Sequence, residues 1–507
     1  MKKIFSLLLL FTFVASLAAC NGSTDNEDPN NNEDPNTEDP NGEDPQDEEP
    51  TVIKFASWGV GTEEENNLLR RRVSSFNEAN DDIQIEIMDY EGNYREFLST
   101  QAAAGDFPDV LAVENVPEFV INEWIGDISD LVAVDTEWDD VPEALSSEIT
   151  YGDYVYAVPE AYHYLGYYAN IDLIENSGSN ADFMNFDYSL DEFTTAIRDM
   201  RDTSGVTDGS GTIGITNPFE FVNFVPSIYD ETDEISHFVW EGNGFNFASE
   251  YLSDALALSA DLFTNDYTFE SFSAAQGGDA DNPTPSEREE RFGTNDAYQA
   301  FFNSKIGFLW DASWGASSIE NNIDDLFYYD FVGLPDSRVI GVSDYLGISA
   351  STDNREEAYE VAKYLTFGSE GLNDAFDIID EAETSLAMNG LPINESTDIT
   401  ERWFETYPQS GFKRAYEKAA NGELEVLIEG NKTVPGFIDA RFTYDTGIDA
   451  QVSRPDASDG ATLSIGDLIW DAGQGAVVLS DYLDNDLAAN INNRFEEIQA
   501  EFENAQE

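Results

Sequence analysis

Cysteine and histidine are almost absent from this chain. Its 507 residues include one cysteine, Cys20, and two histidines, His163 and His237. One thiol cannot close an intrachain disulfide, and so few thiols and imidazoles argue against a transition-metal centre. EF-hand spacing is also missing, although clustered aspartates such as Asp279 and Asp281 leave calcium open. We therefore predict no cofactor and assign no metal ligands.

Positive charge is scarce as well. Lys plus Arg number 23 against 103 Asp plus Glu, which gives a formal net charge of −80. Binding of nucleic acid requires clustered basic residues, so this class of partner is excluded. Because 41% of the residues are hydrophobic and 13% aromatic, the body is expected to fold with an acidic surface. The surface suggests adaptation to high salt and favours neutral or cationic small-molecule ligands.

Several catalytic motifs are missing from the sequence. It contains no phosphate-binding loop, no HExxH and no GxSxG, so nucleotide hydrolysis, zinc proteolysis and α/β-hydrolase chemistry lack support. Residues 209–214 match the GxGxxG pattern, but they follow a predicted helix and precede a strand, which is the reverse of the dinucleotide-binding order. We interpret this segment as a turn.

The amino terminus has the layout of a secretory signal. Lys2 and Lys3 precede an apolar run that is shorter than the ~20 residues of a membrane-spanning helix. The sequence Leu-Ala-Ala-Cys at residues 17–20 resembles a bacterial lipobox. This resemblance implies a signal peptide over 1–19 and a lipid anchor on Cys20, with an ordinary secretory peptide as the alternative. The protein is then expected at the cell surface, on the extracytoplasmic face of the cell membrane.

Residues 20–50 are predicted to form a tether. A Glu-Asp-Pro unit recurs four times, starting at Glu27, Glu33, Glu38 and Glu43. Repulsion between like charges and stiffening by proline favour an extended, disordered segment without a core.

The body after residue 50 begins with an α/β pattern. Val52 to Ala56 is predicted to be a strand, residues 62–65 a capping box that opens a helix, and Ile83, Ile85 and Ile87 an alternating strand. A second helix and a strand at 110–113 follow. Because ligands of open α/β sheets bind beyond the carboxyl ends of strands, Trp58, Glu114 and Asn115 become candidates.

The pattern continues to the carboxyl terminus. We predict a strand at 155–158 that ends at Pro159, a further strand to Ala169, and a helix opened by Ser189. Residues 275–291 are predicted to be a loop. The remaining predictions are strands at 306–310 and 345–349, a helix at 355–365 and a last helix from about Leu487.

Four sequence blocks resemble the extracellular solute-binding proteins of ABC importers, family 1, the maltose-binding type. They are residues 101–110, 156–173, 307–314 and 346–349, in this order. The resemblance implies a type II periplasmic-binding fold of two α/β lobes, with lobe 1 at 51–158 and 343–394 and lobe 2 at 159–342 and 395–507. It implies chain crossings near 159–162, 335–343 and 395, and a ligand cleft that closes by hinge motion.

A sugar site needs aromatic rings for the apolar ring faces, with carboxylates, amides or arginine for the hydroxyls. Candidates of these types, together with the residues that the resemblance places near the cleft, are Trp58, Glu114, Asn115, Tyr162, Tyr164, Phe219, Asp311, Trp314, Tyr345 and Arg441. Trp314 matches the tryptophan after the family's glycine-rich strand. Phe437 lies in a stretch that resembles a late cleft loop.

The resemblance predicts a monomeric, non-enzymatic, substrate-binding lipoprotein that delivers a sugar, preferably an oligosaccharide, to membrane permease subunits. One alternative is a sensing or adhesive lipoprotein with the same fold. The other is a surface glycosidase, which needs two carboxylates across a cleft. With 103 acidic residues, the number of carboxylates does not discriminate between them.

Overall fold

The computed structural model describes residues 50–63, 67–179, 181–232, 234–273, 286–323, 326–382, 386–407, 409–452 and 461–506. The predicted signal peptide, Cys20, the tether up to residue 49, and the pair Asp279 and Asp281 lie outside the described residues. Within the described ranges, no helix combines the length and apolarity needed to span a membrane.

The strands and helices alternate along much of the described chain. The strands are β1 Thr51–Ala56, β2 Ile83–Ile87, β3 Val110–Val113, β4 Thr150–Tyr151, β5 Tyr154–Val155, β6 Val158–Asn170, β7 Ile213–Ile215, β8 Ile306–Ala312, β9 Tyr329–Gly333, β10 Arg338–Ile348, β11 Glu425–Ile428, β12 Asp445–Asp449 and β13 Thr462–Ser464. The helices are α1 Leu68–Ala79, α2 Tyr94–Ala104, α3 Val116–Ile121, α4 Ser129–Val132, α5 Glu143–Glu148, α6 Ile171–Ser177, α7 Leu190–Asp199, α8 Val225–Tyr229, α9 Glu250–Thr264, α10 Glu287–Phe292, α11 Ala297–Phe302, α12 Ala316–Ile323, α13 Arg355–Leu365, α14 Ser369–Asp380, α15 Thr397–Glu405, α16 Ser410–Ala420, α17 Ile465–Gly473 and α18 Asn485–Ala505.

The main sheet is mixed and has the strand order β2-β1-β3-β10-β6-β8-β7, with β11 beside β10 and β9 beside β6. β1 is parallel to both β2 and β3, as the predicted βαβ unit requires. β7 is parallel to β8, and β11 is parallel to β10. The sheet thus has a first half around β1 and a second half around β8.

Two long strands, β6 and β10, join these halves. β10 pairs through residues 338–341 with β11 and through residues 345–348 with β3. β6 pairs through residues 158–163 with β10 and through residues 165–169 with β8. The two strands therefore cross from one half of the sheet to the other side by side.

A β-bulge interrupts the β6–β10 pairing at this crossing. Asp344 lies opposite Ala161, whereas Tyr345 lies opposite Pro159, so Glu160 has no cross-strand partner. Bulges redirect side chains at functional positions. Here the bulge sets the direction of Glu160.

The structure corrects three sequence-based boundaries. The strand predicted at 155–158 is divided between β5, which ends at Val155, and β6, which begins at Val158. β6 then runs through Pro159, because proline needs no ladder N–H at the bulge. The first helix begins at Leu68 with Asn67 as its N-cap, since Asn67 accepts a hydrogen bond from the Arg70 N–H. Residues 64 and 65 of the predicted capping box lie outside the described residues. Part of the predicted loop at 275–291 is helix α10, which Ser286 and Glu289 cap reciprocally.

Other predictions are confirmed. The helix predicted at 355–365 is α13, the helix opened by Ser189 is α7, and the last helix is α18. α7 is held by a capping box between Ser189 and Glu192. α18 buries Phe495 and Phe502 and packs against α3, a helix of the first sheet half.

Candidate functional site

A cavity of about 580 Å³ lies where the two halves of the sheet meet. The first half of the sheet contributes Trp58 and the start of α1, and the second half contributes Ser313, Trp314 and Ser317. Glu160, His163 and Asp344, which we term the cavity floor, come from the crossing strands β6 and β10. Residues 387–389, Ile393 and Trp403 close a further side. The volume falls within the range of small-molecule sites, roughly 300–1,000 Å³.

Trp58 is held in place directly after β1. The Ser57 hydroxyl accepts a hydrogen bond from Gly59 N at 2.9 Å and caps a short 3-10 turn that contains the tryptophan. The edge of the Trp58 ring packs against Tyr94 with a centroid separation of 5.4 Å, and Lys432 Nζ lies 5.8 Å from the ring centroid. Trp58 thus follows the carboxyl end of a strand and lines the cavity.

Trp314 stands on the other side of the cavity and is 49% exposed. It follows β8 in a short 3-10 turn at 313–315. Trp314 lies close to the carboxylate of Asp311, which is buried at the end of β8. The Asp311 carboxylate packs against the same turn, because a Cβ at Gly315 would collide with it. Burial raises the Asp311 pKa, and hydrogen bonds from Ala312 N, Tyr298 and Trp314 oppose that shift.

The cavity floor follows from strand alternation and the bulge. Cross-strand neighbours share a face, so the pairs His163–Val342 and Ala161–Asp344 direct His163 and Asp344 to the same side. His163 Nδ1 lies 2.9 Å from the Ser313 hydroxyl, and His163 Nε2 lies 3.4 Å from Asp344 Oδ2. The ring of His163 also meets that of Trp314 edge to face at 5.0 Å. The floor is thus connected to the Trp314 side of the cavity.

Asp344 is ionised and paired. Burial alone would raise its pKa, but the hydrogen bond with His163 and the charge of Lys432 hold the pKa of Asp344 well below its usual range. Lys432 Nζ forms an ion pair with Asp344 Oδ1. This carboxylate already has strong partners within the protein.

Glu160 differs from the other residues of the cavity floor because one of its oxygens has no hydrogen-bond partner among the described residues. Burial raises the pKa of Glu160 to about 8, and the nearby Asp344 charge adds to the shift, while Lys432 and Arg72 oppose it. Its Oε2 atom is buried and finds no hydrogen-bond partner among the described residues. A neutral carboxyl group with one unsatisfied oxygen therefore lines the cavity at pH 7. Such a group can both donate a hydrogen bond to a ligand hydroxyl and accept one.

A segment that follows β11 brings Lys432 to the cavity floor. Residues 431–433, the bridging segment, follow β11 and offer successive backbone carbonyls to the first sheet half. Asn115 Nδ2 donates to Asn431 O at 2.8 Å, Val116 N to Lys432 O at 2.8 Å, and Tyr151 Oη to Thr433 O at 2.6 Å. These bonds place the Lys432 side chain between Trp58 and Asp344.

Three predicted tyrosines lie on the opposite face of β6 and β10. Tyr162 pairs with Ser343, the neighbour of Asp344, and is therefore on the face away from His163. Tyr162 and Tyr164 pack edge to face at 5.4 Å, and Tyr345 Oη donates to Glu148 Oε2 at 2.6 Å. We term Tyr162, Tyr164, Tyr345 and Glu148 the tyrosine cluster. The structure does not bring these tyrosines to the cavity.

The other predicted residues serve the surrounding structure. Glu114 pairs with Arg95 at 2.9 Å, and Asn115 caps α3 and accepts from Glu118 N. Phe219 is buried and its ring centroid lies 4.2 Å from that of Trp470. Phe437 is buried in a separate hydrophobic cluster with Phe495.

Arg441 is also buried away from the cavity lining. Its guanidinium lies 3.6 Å from the centroid of the Phe238 ring. Burial lowers the pKa of Arg441 to about 9, and the charges of Glu220 and Glu429 limit the shift. The sequence predicts a cleft contact for Arg441, whereas in the structure its Nη2 donates to Asn223 Oδ1 at 3.3 Å, outside the cavity lining.

The residues that the sequence predicts for the site do not include the cavity floor or Lys432. A signal for the floor was present, since Glu160, His163 and Asp344 interrupt strands of otherwise apolar and aromatic residues, where buried charge is costly. The role of Lys432 depends on long-range contacts and had no local signal. Among the described residues, no group of three or more His, Cys, Asp or Glu side chains converges as a metal site does.

The crossing strands and the cavity between two sheet halves are features of the type II periplasmic-binding fold. The family model for bacterial extracellular solute-binding proteins matches residues 59–367, more than half of the chain. The protein therefore belongs to the bacterial extracellular solute-binding protein family. No curated protein matches the chain.

Solved structures share the fold at low sequence identity. An ABC substrate-binding protein from Listeria monocytogenes, in complex with cycloalternan, has a TM-score of 0.62 and 15% identity, covering 88% of this chain and 99% of its own. The sugar-binding protein MalE from Xanthomonas citri has a TM-score of 0.59 and 15% identity, with 89% and 99% covered. The cyclic α-maltosyl-1,6-maltose binding protein from Arthrobacter globiformis has a TM-score of 0.57 and 15% identity, with 88% and 100% covered.

Proposed function

We propose that this solute-binding protein captures a neutral sugar, preferably an oligosaccharide, in the cavity between Trp58 and Trp314. One observation carries the proposal: two indole rings from opposite sides of the cavity flank a floor on which Glu160 has an unsatisfied oxygen. Indole faces suit the apolar faces of sugar rings. A hydroxyl of the ligand then supplies the hydrogen bond that Glu160 lacks.

The charge balance of the cavity favours an uncharged ligand. Asp344 is compensated by Lys432, and Glu160 is neutral at pH 7, so the floor offers neither a free cation nor a free anion. Ligand hydroxyls can meet the polar side chains of Asn67, Ser313, Ser317 and Asn389, which line the same cavity. The oligosaccharide ligands named for the Listeria and Arthrobacter proteins support this choice.

The wider role follows from the family and the amino terminus. We propose that the protein is a lipoprotein anchored through Cys20 after removal of residues 1–19, and that it delivers its ligand to the permease of an ABC importer. Residues 51–158 with 343–394 and 159–342 with 395–507 are the proposed lobes. Contacts to Trp58 on one side and Trp314 on the other favour the closed form when ligand binds.

A thermal-shift screen in high-salt buffer tests the ligand class. The panel contains neutral mono- and oligosaccharides, with a polyamine and a peptide as competing classes. We expect at least one sugar to raise the melting temperature of the wild type and to leave that of Trp314→Ala unchanged. Stabilisation by the polyamine or the peptide, with none by any sugar, would refute the assignment.

A surface glycosidase is the second candidate, because two carboxyl groups of opposite ionisation, Glu160 and Asp344, share the cavity. Asp344 is engaged by Lys432 and His163, which suits a structural anion better than a nucleophile. Incubation with the bound sugar followed by chromatography separates the two functions. Unchanged sugar is expected, and shortened products would indicate the enzyme.

A further inference from the structure

One side of the cavity is lined almost entirely by apolar side chains. We term this side the apolar wall, and it consists of Leu68, Leu69, Leu365, Leu372, Ile393 and Trp403. These residues come from α1, α13, α14, α15 and the segment before α15, and α14 packs against the other three helices. The wall meets the cavity floor at Gly59, because a Cβ there would lie 3.3 Å from Leu69 Cδ2 and 3.8 Å from Glu160 Oε1. A ligand that bonds to Glu160 therefore lies beside the wall.

Two polar side chains next to the wall are satisfied by the protein itself. Asn67 Nδ2 donates to Gly59 O at 2.9 Å, and Asn67 Oδ1 accepts from Arg70 N at 3.1 Å. Thr366 Oγ1 donates to Ala362 O at 2.7 Å. Neither residue requires a hydrogen bond from a ligand.

Arg72 lines the same side and keeps an unused donor. Its side chain extends from α1, and the residue is only 7% exposed. Nη1 donates to Leu365 O at 2.9 Å and Nη2 donates to Tyr364 O, whereas the buried Nε has no acceptor in the described part of the chain. A buried donor without an acceptor is costly, and a ligand oxygen that accepts from it removes that cost. The wall therefore offers one hydrogen-bond donor within an apolar surface.

The hydroxyl-bearing edge of an unsubstituted sugar does not match this combination. Each hydroxyl is a donor as well as an acceptor, and a hydroxyl placed against leucine loses its bonds to water without replacement. An acetamido group instead has one strong acceptor, its carbonyl oxygen, and an apolar methyl group. The carbonyl oxygen suits Arg72 Nε, and the methyl group suits the leucines of the wall.

A carboxylate on the ligand suits the wall less well. Arginine binds a carboxylate best through two parallel N–H···O bonds, and both Nη atoms of Arg72 already donate to the backbone. An ionised group would also lose its water against leucine side chains, in a cavity that already holds the ionised Asp344. The chemistry of the wall thus favours an uncharged acyl substituent over an acidic one.

We propose that the ligand is a sugar with an acetamido substituent, whose carbonyl oxygen accepts a hydrogen bond from Arg72 Nε and whose methyl group packs on the apolar wall. The proposal rests on the proposed function and deepens it, because it names the ligand class of the same site. Arg72 is then a specificity-determining residue that selects an acetamido group over a hydroxyl at one position of the sugar ring.

Calorimetric titration of the full chain with matched pairs of sugars tests this assignment. The pairs are N-acetylglucosamine and glucose, N-acetylgalactosamine and galactose, and N,N′-diacetylchitobiose and cellobiose. Glucuronic acid and glucosamine represent the acidic and cationic classes. In a pair that binds, the acetamido sugar should bind about ten- to a hundredfold more tightly than its unsubstituted counterpart. This comparison needs only the wild type.

Two variants connect the preference to the wall. Arg72→Lys keeps the positive charge but lacks the Nε–H, so the ratio of the two affinities should fall by about fivefold or more. Leu69→Ala shortens a half-buried wall residue and should lower the ratio by about threefold. Arg70→Lys is the matched control, because Arg70 also lies on α1 and donates its Nε–H to a backbone carbonyl, Val60 O, but does not line the cavity. Its ratio should equal that of the wild type.

The outcomes distinguish this inference from the proposed function. The acetamido assignment is wrong if an unsubstituted neutral sugar binds as tightly as the acetamido sugars do, or binds when none of them does. It is also wrong if glucuronic acid or glucosamine binds more tightly than every acetamido sugar, or if folded Arg72→Lys keeps the wild-type ratio. The proposed function stands wherever a neutral sugar binds. If no neutral sugar, substituted or not, binds the folded wild type, both fail.

Discussion

The two faces of the β6–β10 pair carry similar residue types but differ in how their polar atoms are satisfied. On one face, the polar atoms of the tyrosine cluster have a partner within the protein: Tyr345 Oη donates a hydrogen bond to Glu148 Oε2 at 2.6 Å. On the other face, the cavity floor is not fully satisfied. Glu160 Oε2 has no hydrogen-bond partner among the described residues and lies beside a cavity of about 580 Å³. We term these the closed face and the open face.

This difference indicates what each face is for. Buried polar groups that satisfy one another stabilise the fold. A buried polar group left without a partner is costly, and a ligand that supplies the partner recovers that cost. We therefore expect substitutions on the closed face to change the free energy of unfolding and substitutions on the open face to change ligand affinity.

The largest expected effect is on stability. Tyr345→Ala removes a fully buried ring and a hydrogen bond of Glu148, so the free energy of unfolding should fall by about 3–5 kcal/mol. Denaturant titration measures this change. Calorimetry on the folded variant should give a sugar affinity within about threefold of the wild type. A variant that stays equally stable but loses the sugar would reverse the roles of the two faces.

Trp314→Ala should produce the opposite pattern. Loss of the half-exposed indole is expected to weaken sugar binding by about 2–3 kcal/mol, roughly 30- to 150-fold, and to change stability by less than about 1 kcal/mol. Trp470→Ala is the matched control, because Trp470 is similarly exposed but packs on Phe219 away from the cavity. Equal losses of affinity in both variants would mean that the cavity is not the binding site.

Glu160 makes stability depend on pH. Its pKa is about 8 in the folded protein and 4.5 in the unfolded chain, so between these values the folded state holds the extra proton. This stabilising contribution is complete below pH 4.5 and is lost as pH rises to about 8, by at most about 1.4 kcal/mol per pH unit. Glu160→Gln should flatten the profile of unfolding free energy between pH 5 and 8.

A second glutamate provides the control for this pH effect. Burial raises the pKa of Glu429 to about 7, but Glu429 lies outside the cavity lining. Glu429→Gln should also flatten the stability profile while leaving the pH dependence of sugar affinity unchanged. Ionisation of Glu160 near pH 8 should also change the affinity for the sugar, because the carboxyl group then loses its donor hydrogen. Glu160→Gln should therefore remove this pH dependence of sugar affinity as well. Identical affinity profiles in the two variants would contradict direct contact between Glu160 and the ligand.

The smallest expected effect is a loss of sugar affinity, and it is tested at two neighbouring residues of β6 that lie on opposite faces. His163→Ala removes the contacts to Ser313 and Asp344 on the cavity floor and should weaken sugar binding by about 1 kcal/mol, roughly fivefold. Tyr162→Phe, one residue earlier in β6, should leave affinity unchanged. Titration calorimetry resolves both, and a larger loss for Tyr162→Phe would refute the assignment of faces.

Much of the fold could be predicted from the sequence because it is encoded locally. Alternating isoleucines at 83–87 and the helical spacing at 355–365 gave the correct elements, which appear as β2 and α13. The single strand β6 was missed, because Pro159 was interpreted as a strand end and only the tertiary bulge makes it acceptable.

The site was less predictable because it depends on strand faces and on distant segments. Both Trp58 and Trp314 line the cavity: the general rule for α/β sheets indicates Trp58, and the family resemblance indicates Trp314. Tyr162, Tyr164 and Tyr345 have suitable chemistry but lie on the closed face. The bridging segment brings Lys432 to Asp344 across 88 positions of sequence, which no local pattern encodes.

The most direct test of the central claim is a calorimetric titration of the intact protein and of the double variant Trp58→Ala/Trp314→Ala with the sugar that gives the largest thermal shift. We expect the wild-type chain to bind one sugar and a double variant that remains folded to give no detectable heat. Equal dissociation constants for the two proteins, or no heat from the wild type with any neutral sugar, would contradict it.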